Sequence, residues 1–255
     1  MDSPTVPRPV LEAAAGAGRV TVVSGAGMSA ESGVPTFRDA QTGLWESYAA
    51  EDLATPEAWA RDRAFVWAWY LWRLGLVRRA RPNAGHVALA EWARLPGAPE
   101  ITVVTQNVDD LHERGGSAPV IHLHGSLAAF RCERCDAAYD GVVEPLDHEE
   151  VRVEPPRCRR CGAAIRPGVV WFGEMLPVDA WERAVEAAER CDLLLVVGTS
   201  GIVHPAAGLP ITALGSGATV VEVNPVETAI SDFVHHRWRA TAAEALPALV
   251  AALHP

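Results

Sequence analysis

The sequence predicts an α/β fold, a doubly wound parallel sheet of Rossmann-like type carrying a smaller second domain. Three observations lead there: short, continuously apolar runs, helical patterns between them, and two segments that break the alternation. A length of 255 residues suits one large α/β domain, or a core domain with a smaller insertion. Hydrophobic residues make up 49% and charged residues 21%, which excludes a disordered chain.

The apolar runs are Val20 to Ser24, Ile101 to Thr105, Val120 to His124, Leu193 to Val197 and Thr219 to Asn224. Continuous runs of this length fit strands buried on both faces, as in a parallel sheet covered by helices. Ala84 to Arg94 and Asp179 to Arg190 supply helical patterns between them. Residues 45 to 84 are helical and rich in tryptophan, and residues 128 to 170 hold four paired cysteines among Pro, Gly and Arg. Both leave and rejoin the alternation. The expected division is therefore a Rossmann-like domain of residues 1–44, 85–127 and 171–255, and a small domain made from a helical insertion, 45–84, and a metal module, 128–170.

Charge and cysteine usage narrow the function. A net charge of −10 opposes general binding to a phosphate backbone. All 22 basic residues are arginine, a pattern that fits GC-rich coding. No apolar run reaches the about 18 residues of a membrane span, and Met1-Asp2-Ser3-Pro4 lacks the layout of an export signal. A cytoplasmic protein with no membrane partner is expected. Cysteines in such a chain are metal ligands or free thiols more often than disulfides. Cys132-x-x-Cys135 and Cys158-x-x-Cys161 match a tetrahedral four-cysteine zinc site, with a redox disulfide as the alternative. Four thiolates leave no open coordination position, so one such zinc would be structural. Cys191, before an apolar run, reads as a small buried residue.

The polar motifs sit at strand ends, where doubly wound sheets bind ligands. Gly25-Ala26-Gly27-Met28-Ser29-Ala30 follows the first strand as a Gly-x-Gly-x-x-Ala dinucleotide fingerprint, with a ligand-free glycine turn as the alternative. The acidic residue that a dehydrogenase places at the end of its second strand is missing, which argues against hydride transfer. Next comes a Gly/Pro-rich loop carrying Phe37 and Arg38, able to fold over a cofactor or to lie on the surface. The second run ends in Gln106-Asn107-Val108-Asp109 and the third in His122-Leu123-His124. A histidine beside a nucleotide loop points to a general base.

Together with Val170-Trp171-Phe172-Gly173-Glu174, Gly198-Thr199-Ser200 and Val223-Asn224-Pro225, these motifs occur in the order seen in sirtuins, which the chain resembles over roughly residues 18 to 250. The resemblance implies an NAD-dependent protein deacylase that consumes NAD as co-substrate. It implies that the acyl-lysine oxygen displaces nicotinamide at C1′ of the ribose, that His124 is the base for a ribose hydroxyl, and that the products are the free amine and O-acyl-ADP-ribose. Asn107 would position the ribose and Asp109 the nicotinamide carboxamide. Gly25, Ala26, Gly27, Ser29, Ala30, Phe37, Arg38, Trp45, Gln106, Gly198, Thr199, Ser200, Asn224 and the backbone at Ala242 would complete the NAD site. The partners implied are acylated-lysine proteins, and a monomer is expected.

Val170 to Glu174 alternates like an edge strand, with which a substrate peptide could pair, or which could be plain core. In sirtuins this segment and the one at Gly201-Ile202-Val203 sandwich the substrate, which brings in Val170, Trp171 and Phe172. Tyr70 and Arg73 are three apart in the tryptophan-rich helix and share a face. A phenol beside a guanidinium can grip a carboxylate, the guanidinium in bidentate fashion. Ala54 upstream would leave a roomier pocket. This set resembles the sirtuin class that removes succinyl and malonyl groups, against the plainer reading of an arginine packed over tryptophan. Two other functions fit less well: mono-ADP-ribosyl transfer to protein, and a zinc-ribbon nucleic-acid binder using Arg131, Arg134, Arg157, Arg159 and Arg160.

Overall fold

The computed structural model describes residues 5–35, 50–148 and 150–254. From the N-terminus, α1 (Arg8–Gly16) leads into β1 (Arg19–Ser24). The helical segment contains α2 (Ala50–Leu53), α3 (Pro56–Arg61) and α4 (Arg63–Arg79). Then follow α5 (Ala84–Trp92), β2 (Glu100–Thr105), α6 (Leu111–Arg114) and β3 (Val120–His122). A hairpin-like pair, β4 (Gly125–Cys132) and β5 (Ile165–Val169), precedes α7 (Val178–Arg190). The chain closes with β6 (Leu193–Val197), α8 (Leu209–Gly215), β7 (Thr219–Val223), β8 (His236–Trp238) and α9 (Ala242–Leu253).

Helix starts follow local chemistry. The Thr55 hydroxyl accepts the Ala58 N–H ahead of Pro56, and the Asp62 carboxylate accepts that of Phe65. Asn83 caps α5 through Gly85. Each such cap contributes about 1 kcal/mol.

The main sheet runs β3-β2-β1-β6-β7-β8 with every pairing parallel. Side chains alternate between two helix-covered faces, as a period of two demands. Val20, Val22, Val103, Leu193, Leu195 and Val221 pack on one face with α1, α5 and α9. Val23, Val104, Leu194, Val196 and Val220 pack on the other with α7 and α8. Because both faces are dry, the strands read as unbroken apolar runs. The chain leaves β1 toward β2 and β3, then returns to build β6, β7 and β8 on the opposite side. The switch point therefore lies between the carboxyl ends of β1 and β6.

A third core joins α3 and α4 to the β4–β5 pair, with Trp59, Trp67, Trp69, Tyr70 and Trp171 buried in it. The tryptophans of the helical segment are thus mostly core.

Two 3₁₀ turns, Ala26–Met28 and Ala30–Ser32, follow β1, because Gly33 turns left-handed (φ 80°) and Pro35 lacks an N–H. Two expectations need correction. β3 stops at His122 and the chain turns at Gly125 (φ 73°). Val170 to Glu174 is not a strand. β5 ends at Val169, and the N–H groups of Val170, Trp171, Phe172 and Glu174 go to the His124 carbonyl, the Glu174 carboxylate, the Ala54 carbonyl and the Trp171 carbonyl. β8 escaped the apolar-run reading because His236-Arg237-Trp238 is short and charged. Among the described residues, no helix is long and apolar enough to cross a membrane.

Candidate active site

At the switch point, glycine serves close approach between two loops. A Cβ on Gly25 would lie 2.7 Å from Thr199 Cβ, and one on Gly27 would lie 2.8 Å from Gly198 Cα. Gly198 is left-handed (φ 60°), and a Cβ there would fall 2.4 Å from the Met28 nitrogen. Gly27 donates to the Gly198 carbonyl at 2.8 Å and Gly25 to the Val197 carbonyl at 3.0 Å. The fingerprint glycines thus interlock the loops after β1 and β6, which puts Gly25 and Gly27 against Gly198 and Thr199.

The adjacent strand ends are stitched to this lock. Gln106 Nε2 donates to Thr199 Oγ1 at 3.1 Å, and Asn224 Nδ2 to the Thr199 carbonyl at 3.1 Å. Asn107 Nδ2 donates to Ser29 Oγ (3.1 Å), which donates to Asp109 Oδ2 (2.9 Å). The second Asp109 oxygen accepts the Leu111 N–H. Burial raises the Asp109 pKa, and the hydrogen bonds from Leu111 and Ser29 hold it back. Ala242, the first residue of α9, packs against Gly85 at the start of α5, and Ala243 N–H donates to the Glu31 carboxylate. Phe37, Arg38 and Trp45 lie outside the described residues.

Two histidines at the end of β3, His122 and His124, are set to different states. His124 Nδ1 lies 2.9 Å from the Gln106 carbonyl, which can only accept, so Nδ1 carries the proton and Nε2 presents its lone pair. Burial lowers the His124 pKa despite that bond, which keeps the ring neutral. His122 faces two acceptors, the Asn107 carbonyl at 3.2 Å and the Glu113 carboxylate at 2.6 Å. Burial alone would lower its pKa, yet Glu113 raises it overall. One ring is poised to take a proton; its neighbour, tied to two acceptors, holds its proton more tightly. Environments that push two titratable groups apart mark acid–base sites.

The helical segment borders this crevice. Tyr70 and Arg73 are both buried in α4, with the Arg73 guanidinium 5.1 Å from the Trp69 ring centroid. Burial pushes the Tyr70 pKa up beyond the ordinary phenol range, with Arg73 acting in the opposite direction. Ala54 is buried, and its carbonyl holds the Phe172 N–H at 2.9 Å. Phe172 is 44% exposed whereas Trp171 is 2% exposed, so the two alternate positions face different surroundings.

The four cysteines converge. Sγ–Sγ distances are 3.4 Å for Cys132–Cys161, 3.7 Å for Cys135–Cys158 and 3.7 Å for Cys161–Cys135. These are too long for disulfides, and a tetrahedron with about 2.3 Å Zn–S bonds has edges of about 3.8 Å. Both pairs are knuckles of one design. The Arg134 and Arg160 N–H groups point at the Cys132 and Cys158 sulfurs, and left-handed Asp136 (φ 54°) and Gly162 (φ 73°) close the turns. The donor set fits zinc.

A match to the Sir2 family covers residues 25–205. The chain belongs to the Sir2 family. It is 53% identical over 232 residues to the NAD-dependent protein deacylase of Mycobacterium leprae, covering 91% of this chain and 96% of that one. It is 53% identical over 237 residues to the NAD-dependent protein deacylase of Methylococcus capsulatus, covering 92% of each. It also resembles a crystal structure of a Sir2 homologue in complex with NAD, with a TM-score of 0.88, 43% identity, and coverage of 99% of this chain and 96% of that one.

Several groups that support this Sir2-family site were not read from the sequence. Glu222, only 1% exposed, accepts from Ser231 Oγ and Arg239 Nη1 at 2.7 Å each, and from Thr228 Oγ1, pinning the loop after Asn224. A carboxylate inside the apolar run Val220-Val221-Glu222-Val223 was a signal. Ser24 Oγ donates to Thr105 Oγ1 and meets His112 Nε2, both at 2.9 Å, beneath Asn107, whose N–H is held by Thr105. The Glu113–His122 pair had no pattern of its own.

Proposed function

We propose that the chain, an NAD-dependent protein deacylase of the Sir2 family, removes succinyl and malonyl as well as acetyl groups from protein lysine side chains, releasing nicotinamide, O-acyl-ADP-ribose and free lysine. One observation carries the choice of acyl group: Tyr70 and Arg73 sit side by side in an apolar, tryptophan-walled segment joined through Ala54 and Phe172 to the chain leaving His124. A phenol and a guanidinium side by side can offer a carboxylate both hydrogen-bond donors and a positive charge. The terminal carboxylate of succinyl or malonyl can take them up, and acetyl has no such group.

NAD, when bound, supplies a ribose carbon from which nicotinamide departs. The chain's groups do the rest. His124 Nε2 takes a hydroxyl proton, with Nδ1 anchored on the Gln106 carbonyl to keep the ring in that tautomer. Asn107 and Asp109, joined through Ser29, orient the ribose and the nicotinamide carboxamide. Gly25, Ala26, Gly27, Ala30, Gly198, Thr199, Ser200, Gln106, Asn224 and Ala242 line the nucleotide crevice, and Phe37, Arg38 and Trp45 belong to the same site by family resemblance. Val170, Trp171 and Phe172 border the acyl-lysine. Cys132, Cys135, Cys158 and Cys161 hold one structural Zn²⁺.

The same reading divides the chain into a Rossmann-like domain, 1–44, 85–127 and 171–255, and a small domain of 45–84 and 128–170. It places a monomeric enzyme in the cytoplasm. A nucleic-acid role for the zinc module is disfavoured by the ion pairs of Arg131 with Asp136 and of Arg159 with Asp140. The test is turnover of acetyl-, malonyl- and succinyl-lysine peptides with NAD, followed by mass spectrometry, with His124→Ala as control. Succinyl and malonyl peptides should be turned over at least as efficiently as acetyl. Nicotinamide release with ADP-ribosylated protein and intact acyl-peptide would instead establish ADP-ribosyl transfer.

A further inference from the structure

The Trp171 indole N–H donates to the Tyr70 phenol oxygen at 2.9 Å across 101 residues of sequence, inside the core. An indole N–H can only donate, so the direction of this bond is fixed. A phenolic hydrogen lies near the ring plane in one of two orientations. Filling one in-plane acceptor position with the indole N–H leaves the other for the O–H, which Tyr70 then offers as a donor. The raised Tyr70 pKa keeps that proton in place throughout the working pH range.

The tryptophan is itself held. The Arg166 guanidinium stacks 3.3 Å from its ring centroid and makes two bonds to Glu174, at 2.5 and 2.8 Å. Glu174 Oε2 also accepts the Trp171 N–H at 2.9 Å, and Arg166 donates to the Val169 carbonyl. Trp59 packs on it at 5.5 Å between centroids. Both the backbone and the ring of Trp171 are therefore fixed before the indole reaches the phenol. We propose that Trp171 is a positioning residue for acyl selectivity: clamped by Glu174 and Arg166, it orients the Tyr70 hydroxyl as a hydrogen-bond donor toward the carboxylate of a dicarboxylic acyl group. This rests on the reading of Tyr70 and Arg73 as the carboxylate grip, and the test separates the two.

The experiment measures kcat and KM for succinyl- and acetyl-lysine peptides, at saturating NAD, in the wild type, Trp171→Phe, Tyr70→Phe and the double variant. Trp171→Phe should lower the succinyl-to-acetyl ratio of kcat/KM about tenfold, the scale of one charge-assisted hydrogen bond, mainly through KM for the succinyl peptide. In the Tyr70→Phe background the same change should move the ratio by no more than about twofold, because its effect runs through the phenol. A lowered ratio in Tyr70→Phe with an unchanged one in Trp171→Phe overturns the positioning role alone. So does an equal loss in both backgrounds. An unchanged ratio in Tyr70→Phe overturns the carboxylate grip itself. Should Trp171→Phe misfold, replacing Trp171 by benzothienylalanine, which keeps the shape and puts sulfur in place of N–H, gives the same comparison.

Discussion

Arg73→Met is the sharpest perturbation, since it keeps an unbranched apolar stem and removes the guanidinium with its charge and its donors. Arg73 is 7% exposed, with its guanidinium against the Trp69 ring. Burial pulls its pKa below the ordinary arginine range, while Tyr70 pushes it back up. A substrate carboxylate placed beside it would form a pair shielded from water. Removing one partner of such a pair costs about 3–5 kcal/mol, because the other charge stays buried without compensation. That corresponds to a loss in kcat/KM of about a hundredfold to several thousandfold for succinyl and malonyl peptides. Acetyl brings no charge, so its turnover should fall far less and the succinyl-to-acetyl ratio should collapse. A thermal melt of Arg73→Met checks that the variant is folded where its turnover is compared. The assay is steady-state turnover with matched peptides beside a thermal melt. An equal fall in both activities would refute the role of Arg73 as an acyl-carboxylate contact.

Gly198→Ala forces a Cβ onto the Met28 nitrogen at a φ of 60°, so it should weaken NAD binding by calorimetry and destabilise the fold by more than about 1 kcal/mol; an unaltered NAD affinity would contradict the loop lock. Cys132→Ala should release zinc and lower the melting temperature by several degrees, measured by metal analysis and calorimetry, and full stability without metal would argue against a structural site. Burial holds the His86 and His112 pKa values down to about 4 and about 3, with neighbouring His86 and His122 adding to the effect at His112. Both rings are neutral when folded and gain protons on unfolding below about pH 6.5, so stability should fall as pH drops from there toward those values, by up to about 1.4 kcal/mol per pH unit for each. Urea midpoints between pH 7.5 and 5 check this; a flat profile would refute it, and His112→Gln should make the fall shallower.

Much of the architecture was legible because it depends on near neighbours in the chain. Val20, Val22 and Val23 read as strand since both faces of β1 are dry, and the Leu193 to Val197 run did so for the same reason. The zinc ligands were legible because each knuckle closes within one turn. Thr55, Asp62 and Asn83 are local caps. Where the reading failed, a distant partner had changed the outcome. Val170 to Glu174 alternates as a strand does, yet its N–H groups find His124, Ala54 and a carboxylate of the same turn. The fingerprint glycines follow a strand end as the pattern requires, but what they face most closely is the second loop, at Gly198.

The sequence by itself determined the α/β class, the order of its main strands, the metal donors and the list of polar residues delivered to the crevice, because dihedral preference, alternation and short spacings act over a few residues. Only the tertiary structure decided which of those residues meet: Ser29 between Asn107 and Asp109, Glu113 on His122, Glu222 on Arg239, Trp171 on Tyr70. Each of these contacts joins groups that local preferences do not bring together, and the protonation states and hydrogen-bond directions of the site follow from that packing.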